Sequence, residues 1–117
     1  MSQVTIYHNP RCSKSRQTLE LLENQGADID IVRYIEEPLS SADVSDLLLL
    51  LNMSARELMR KGEDTYKELN LDNPELSEAQ LVQALADYPR LIERPIVVRD
   101  GKAVIGRPPE KVLELFE

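Results

Sequence analysis

The hydrophobic period of this chain changes twice along its length, and that order limits the folds it can adopt. Gln3–Tyr7 (QVTIY) alternates and is rich in β-branched residues, residues 13–25 have a helical apolar face, and residues 28–34 (DIDIVRY) alternate again. A strand, a helix and a strand over so short a length predict a βαβ unit with two parallel strands.

The middle of the chain carries only helical signals. Ser40 or Ser41 is a candidate cap for a helix that runs to Leu51, and two capping boxes follow, SARE at residues 54–57 and SEAQ at residues 77–80. These boxes predict short helices through Arg60 and Ala86. Since no strand pattern is present from about residue 40 to about residue 90, we predict that this segment is a helical insertion.

The strand period returns near the end of the chain. Residues 95–106 (PIVVRDGKAVIG) contain two short apolar runs around Asp100-Gly101, a pair typical of tight hairpin turns. The stretch PPEKVLELF that follows is predicted to be a helix with proline in its first turn. The order βαβ, helical insertion, ββα therefore predicts a single α/β domain over residues 1–117, with a small mixed sheet of four strands.

Length and charge argue against several classes of function. The chain has 117 residues, enough for one core, and its net charge of -7 disfavours a general nucleic-acid binder or a partner for an anionic membrane. Its longest apolar run, residues 47–51, is far below the ~20 residues of a membrane helix, and its N-terminal sequence lacks signal-peptide features. We therefore expect a cytoplasmic protein.

The only cysteine and the only histidine lie in one segment, YHNPRCSKSR at residues 7–16, together with three basic residues. Cys12 is predicted to stand where the first strand ends and the first helix begins, and there free N–H groups and the helix dipole stabilise a thiolate. The hydroxyls of Ser13 and Ser15 can donate to the sulfur or to a bound anion. The pattern favours a reactive thiolate over a cysteine packed in the core.

A second cysteine is missing from this segment. A thioredoxin-type site would have one three positions after Cys12, where this chain has Ser15. A covalent intermediate on Cys12 must therefore be resolved by an external thiol, such as glutathione or a partner protein. His8 is a candidate acid or base near the thiol, although its position also suits an ordinary strand-end residue. One histidine and one cysteine predict no metal site.

The segment HNPRCSKSR resembles the signature His-Asn-Pro-x-Cys-x-x-Ser-Arg of the ArsC family of glutaredoxin-dependent arsenate reductases. Four further segments are similar to that family in the same order: YIEEPLS, ELMRKGE, LIERPIVV and AVIGRPPEKVLELF. The resemblance spans nearly the whole chain. It implies a thioredoxin-like fold with a helical insertion.

The resemblance also implies roles for the residues around the thiol. Cys12 would be the nucleophile, His8 would help lower the pKa of its thiol, and Ser15 would hydrogen-bond its sulfur. Asn9 and Arg16 would shape the anion-binding loop.

Three arginines are implied as the anion-binding triad, namely Arg60, Arg94 and Arg107, and Pro95 is implied to be a cis-proline. Taken singly, each arginine also fits an ordinary surface position. Arg60 lies near a predicted helix C-terminus, where a cation is favourable without any ligand. Arg107 opens the last predicted helix, where a positive charge is mildly unfavourable, and this placement favours a role beyond stability.

The implied activity is the reduction of arsenate to arsenite through a covalent thiol–arsenate intermediate on Cys12. Glutathione would be the co-substrate, glutaredoxin the partner, no cofactor would be tightly bound, and the protein would act as a monomer in arsenic detoxification. Two alternatives stay open: an Spx-like regulator that binds RNA polymerase, and a thiol-dependent reductase of another oxyanion or of mixed disulfides. Ser15 in place of the second cysteine of an Spx switch favours catalysis.

Overall fold

The structure is a computed structural model that describes residues 3–116, and these residues form two compact units. The first unit comprises residues 3–37 and 94–116, and the second comprises residues 38–93. Between residues 3 and 116, no helix is both long and apolar enough to cross a membrane. The assignment of residues 1–117 to one domain stays a prediction.

The first unit contains a mixed sheet of four strands in the order β2-β1-β3-β4: β1 is Gln3–Tyr7, β2 is Asp28–Val32, β3 is Ile96–Arg99 and β4 is Lys102–Ile105. The pair β1–β2 is parallel, and the pairs β1–β3 and β3–β4 are antiparallel. The predicted α/β class and small mixed sheet are confirmed.

The strand β2 ends two residues earlier than predicted. The N–H of His8 donates to the carbonyl of Val32 at 2.8 Å. The chain then turns, because the carbonyl of Arg33 accepts from the N–H groups of Glu36 and Glu37. Arg33 therefore leaves the sheet at the edge where β1 also ends.

The predicted hairpin joins β3 to β4 through two residues. Asp100 and Gly101 both have positive φ, 51° and 75°, and Arg99 pairs with Lys102 across the turn. Two successive positive φ angles are the signature of a type I′ turn, whose twist suits adjacent antiparallel strands. The Asp-Gly pair is thus the local cause of the hairpin.

Helix α1, Ser13–Asn24, and a C-terminal 3₁₀ helix, Pro109–Phe116, pack together in the first unit. Their buried side chains share a core with those of the sheet: Val4, Ile6, Leu22, Val97, Val112 and Leu115. The last element was predicted as a helix of ordinary type; its turn is tighter, since the N–H of Lys111 bonds to the carbonyl three residues back. Arg99 donates to the carbonyl of Leu115 and lies 4.6 Å from the Phe116 ring centre.

The second unit is helical: α2 is Ser41–Leu51, α3 is Ala55–Leu58, α4 is Asp64–Glu68, α5 is Glu78–Asp87, and a 3₁₀ helix spans Pro89–Leu91. Ser40, Ser54 and Ser77 each form a reciprocal capping box, so both predicted boxes are confirmed. α5 packs on α2 and α3, and Leu58 and Leu85 are fully buried.

Two features of the second unit differ from the sequence expectations. α3 ends at Leu58, short of the predicted Arg60, because Met59 turns extended and forms an isolated antiparallel bridge with Ile92. The expectation of no β pairing in this segment is wrong to that extent. α4 was not predicted, and its first residue follows Glu63, whose side chain makes no capping hydrogen bond.

Gly106 lies where the chain leaves β4, in a space that has no room for a side chain. A Cβ atom there would come 2.7 Å from Thr18 Oγ1 and 2.9 Å from Pro95 Cγ, and the Thr18 side chain is buried. We expect Gly106→Ala to lower the free energy of unfolding by about 1–3 kcal/mol, measured by urea denaturation. Gly62→Ala is the matched control, since no atom lies within 4 Å of its Cβ. Equal stability of the two variants would contradict this packing.

Candidate active site

Cys12 is the N-cap residue of α1, with extended backbone angles of φ -96° and ψ 123°. Its N–H donates to the carbonyl of Asn9 at 3.0 Å, and its carbonyl accepts from the N–H of Arg16 at 3.1 Å. The thiol is half-buried. The predicted position between the first strand and the first helix is therefore the observed one.

Asn9 and Arg16 hold the loop that carries Cys12. The side-chain oxygen of Asn9 accepts from the N–H of Arg11 at 3.1 Å, and Arg16 Nη1 donates to the carbonyl of Pro10 at 2.9 Å. Both side chains thus bond to backbone of the same short loop, so they lie where a loop-shaping role requires them.

Arg94 and Arg107 converge on the sulfur of Cys12 from the other end of the chain. Arg107 Nε donates to the carbonyl of Arg94 at 2.8 Å, and Arg107 Nη2 lies 3.7 Å from Cys12 Sγ. The guanidinium of Arg94 also hydrogen-bonds the sulfur. The Arg94–Pro95 peptide is cis, as the family resemblance implied. Two of the three predicted arginines are thus beside the thiol.

The pKa of the Cys12 thiol lies below its ordinary value. Burial is the largest influence and raises the pKa, but three groups together outweigh it. The backbone N–H groups of Ser15 and Lys14 favour the thiolate, as expected at the start of a helix, and Arg94 adds a hydrogen bond and its charge. The site therefore favours a nucleophilic thiolate.

His8 and Ser15 form a buried pair beside this loop. His8 Nδ1 lies 2.6 Å from Ser15 Oγ, which also accepts from the N–H of Asn9 at 3.1 Å. Burial lowers the pKa of His8, and the charges of Arg33 and Arg16 lower it further, so the imidazole is neutral near pH 7.

The placement of this pair differs from the implied roles in two respects. A neutral His8 has no charge with which to stabilise the thiolate, and its hydrogen bond goes to Ser15. Ser15 reaches the sulfur through its backbone N–H, while its hydroxyl serves His8 and Asn9. The roles of His8 and Ser15 at the thiol therefore stay predictions.

Arg60 belongs to the second unit and lies two residues after the end of α3. Its guanidinium pairs with two carboxylates, Glu63 at 3.4 Å and Glu93 at 3.6 Å, and its N–H donates to the carbonyl of Leu91. These contacts hold the side chain within its own unit. The assignment of Arg60 to the anion-binding triad stays a prediction.

Arg33 was not among the predicted site residues. It follows β2, and because β2 is parallel to β1, both strands end at the same edge of the sheet. Its charge is close enough to His8 to lower the imidazole pKa. The signal was available in the sequence, since the residue after the second strand of a βαβ unit lies beside the end of the first.

Within residues 3–116, no group of His, Cys, Asp and Glu side chains is placed to hold a metal ion.

The thiol pKa provides a test of this geometry. We expect the rate of alkylation by iodoacetamide to rise with pH to a plateau, with a midpoint below the pKa of an ordinary thiol. Arg94→Gln removes a hydrogen bond to the sulfur and a nearby positive charge, so the midpoint rises. Arg94→Lys keeps the charge, so its midpoint lies between those of wild type and Arg94→Gln. Lys111→Gln, on an exposed residue of the 3₁₀ helix, is the control. A midpoint that Arg94→Gln leaves unchanged would disprove the contact.

The pKa of His8 predicts a loss of stability in acid. Its value is lower in the folded state than in the unfolded state, so the unfolded state binds protons first as pH falls. The contribution of His8 to stability is complete above the unfolded value of about 6.5 and is lost as pH falls through the folded value. We expect wild type to lose stability relative to His8→Asn over this range. The NMR titration of the single histidine should give a midpoint below 6.5, and a higher midpoint would contradict burial as the cause.

Comparisons with known proteins agree with this geometry. The family model described as the ArsC family matches residues 7–115. An Escherichia coli K12 protein, named as the uncharacterised protein YfgD, is 61% identical over 114 residues, which cover 97% of this chain and 96% of that protein. An arsenate reductase of Neisseria meningitidis serogroup A is 48% identical over 113 residues, covering 96% of this chain and 97% of the relative.

A solved structure extends the likeness to three dimensions. The arsenate reductase from Vibrio cholerae superposes with a TM-score of 0.95 at 50% identity, covering 97% of this chain and 98% of that one. The fold is therefore thioredoxin-like, as the family resemblance implied. The family match covers most of the chain and includes Cys12, Arg94 and Arg107, and we conclude that this chain belongs to the ArsC family.

Proposed function

We propose that this protein reduces arsenate to arsenite, with Cys12 as the nucleophile. One observation carries the proposal: the sulfur stands at the N-cap of α1 and is contacted by the guanidinium groups of Arg94 and Arg107. The relatives from Neisseria and Vibrio that bear the name arsenate reductase support the choice of substrate.

The surroundings of the sulfur suit a tetrahedral oxyanion. Guanidinium groups donate two parallel hydrogen bonds to such oxygens and stay charged at every relevant pH. The free N–H groups at the start of α1 and the positive end of its dipole favour an anion in the same place. Arsenate bound there would bring its arsenic atom close to the thiolate of Cys12.

In the first proposed step, the Cys12 thiolate attacks arsenic. An As–S bond forms, an As–O bond breaks, and the departing hydroxide takes a proton to leave as water. Negative charge stays on the remaining arsenate oxygens, and Arg94 and Arg107 are already in position to stabilise it. The arsenic is still As(V) after this step.

An external thiol completes the cycle, because Cys12 is the only cysteine in the chain. Glutathione condenses with the intermediate, forming a second As–S bond and releasing a second water. A glutaredoxin thiolate then attacks the glutathione sulfur, a mixed disulfide forms, and the electron pair of the broken As–S bond reduces As(V) to As(III). Water hydrolyses the remaining As–S bond, arsenite leaves and the Cys12 thiol is regenerated.

The proposal predicts arsenate-dependent turnover in a coupled assay. NADPH oxidation is followed with arsenate, glutathione, glutaredoxin and glutathione reductase. We expect Cys12→Ser to abolish turnover, and Arg107→Gln to lower kcat by about 10²-fold, because a preorganised donor to the reacting oxygens is lost. Lys111→Gln is the control and keeps wild-type turnover.

Other outcomes assign other functions. A folded wild-type protein that shows no arsenate turnover, yet keeps a low-pKa thiol, would rule out arsenate as substrate. Turnover with another oxyanion or with a glutathione mixed disulfide would then identify a related reductase. Capture of RNA polymerase by a protein inactive with all of these would identify a regulator.

A further inference from the structure

Three exposed cations flank the candidate active site in the first unit, and we call them the cationic rim: Arg11, Lys14 and Arg33. Arg11 directly precedes Cys12, and Lys14 lies in the first turn of α1. Arg33 comes from a different element, the turn after β2, whose last carbonyl is bonded to His8. The rim residues thus lie at the end of the sheet where β1 leads into the loop that carries Cys12.

The rim is not neutralised within residues 3–116. The ion pairs found there bind Arg60 and Arg99, and none includes a rim residue. Glu36 and Glu37 contact Arg33 only through their backbone N–H groups. The first turn of α1 has no acidic residue. Uncompensated cations are thus concentrated at this site, although the chain carries a net charge of -7.

The position of Lys14 is unfavourable for the helix itself. A positive side chain in the first turn faces the positive end of the helix dipole, so it destabilises α1 slightly unless an anion lies nearby. Arg33 similarly lowers the proton affinity of His8. Within residues 3–116, neither residue has an ion pair to offset this repulsion, which points to an external anionic ligand.

We propose that the cationic rim binds the carboxylates of the external thiol and so selects a small thiol that bears carboxylates over a neutral one. The inference rests on the proposed function, in which an external thiol must approach Cys12. Arg94 and Arg107 already contact the sulfur and are assigned to the arsenate oxygens, so the carboxylates of the incoming thiol need other cations. The rim residues are exposed, and Arg11 and Lys14 lie within two positions of the half-buried Cys12.

Two alkylating reagents test the rim without any arsenate chemistry. Iodoacetate and iodoacetamide both react with the thiolate by forming a C–S bond and expelling iodide, but only iodoacetate carries a carboxylate. The ratio of their rates cancels any change in the thiolate fraction. We expect Lys14→Gln/Arg33→Gln to lower the ratio of the iodoacetate rate to the iodoacetamide rate by at least about twofold, less at high salt.

Lys102→Gln/Lys111→Gln is the matched control, because it removes the same two charges from exposed positions outside the rim. We expect it to keep the wild-type ratio. In the coupled assay, the rim variant should raise the KM for glutathione, with the KM for arsenate unchanged. With glutathione diethyl ester, whose carboxylates are masked, the two variants should have equal KM values.

The outcomes separate the rim from the proposed function. If the rim variant alone lowers the ratio of the iodoacetate rate to the iodoacetamide rate, and the protein has no arsenate turnover, carboxylate binding by the rim is supported. Only arsenate as substrate is then overturned. If the rim variant turns over arsenate with an unchanged rate ratio and an unchanged KM for glutathione, carboxylate binding by the rim is overturned. The proposed function is then unaffected. A lower ratio with an unchanged KM for glutathione, or an equal loss in the control, also overturns the selection of the thiol.

Discussion

The guanidinium group of Arg107 joins three separate segments of the first unit. Its Nε donates to the carbonyl of Arg94, just before β3, at 2.8 Å, and its Nη2 lies 3.7 Å from the Cys12 sulfur at the start of α1. Arg107 itself follows β4, where Gly106 has space only for a hydrogen. One rigid, permanently charged fork therefore connects the start of α1 with the segments that precede β3 and follow β4.

The thiol occupies a position that a helix ordinarily gives to a serine, threonine, aspartate or asparagine. α2, α3 and α5 each begin with a serine whose hydroxyl caps the helix, whereas α1 begins with Cys12 and has no side-chain cap hydrogen bond. Such a cap typically contributes about 1 kcal/mol. α1 forgoes that contribution, and the N–H groups of Lys14 and Ser15 that a hydroxyl would have bound favour the thiolate instead. A small loss of helix stability thus accompanies the reactivity.

Local patterns predicted the elements that short-range chemistry determines. Asp100-Gly101 specified its turn because few other pairs adopt two positive φ angles, and Ser54 and Ser77 specified helix starts through contacts three residues away. The extended course of Met59 was not predictable in this way, since its partner Ile92 is distant in sequence.

The site shows the same division between local and distant information. The position of Cys12 was predicted from its neighbours alone, because the end of a strand and the start of a helix are local features. The approach of Arg107 to the sulfur joins residues 95 positions apart, and only the family resemblance indicated it. The pKa of His8 is lowered by burial and by the charge of Arg33, which follows the neighbouring strand. Neither influence can be read from the spacing of residues along the chain.

The strand order gives the first unit a particular history during synthesis. β3 pairs with β1 on one side and β4 on the other, yet β1 and β2 are translated before the second unit and β3 and β4 after it. On the ribosome, β1 has only β2 beside it, and one of its edges stays open until β3 emerges. Cys12 is likewise made long before the arginines that contact it. A growing chain therefore carries its thiol without the two guanidinium groups that contact it until the second unit has been translated.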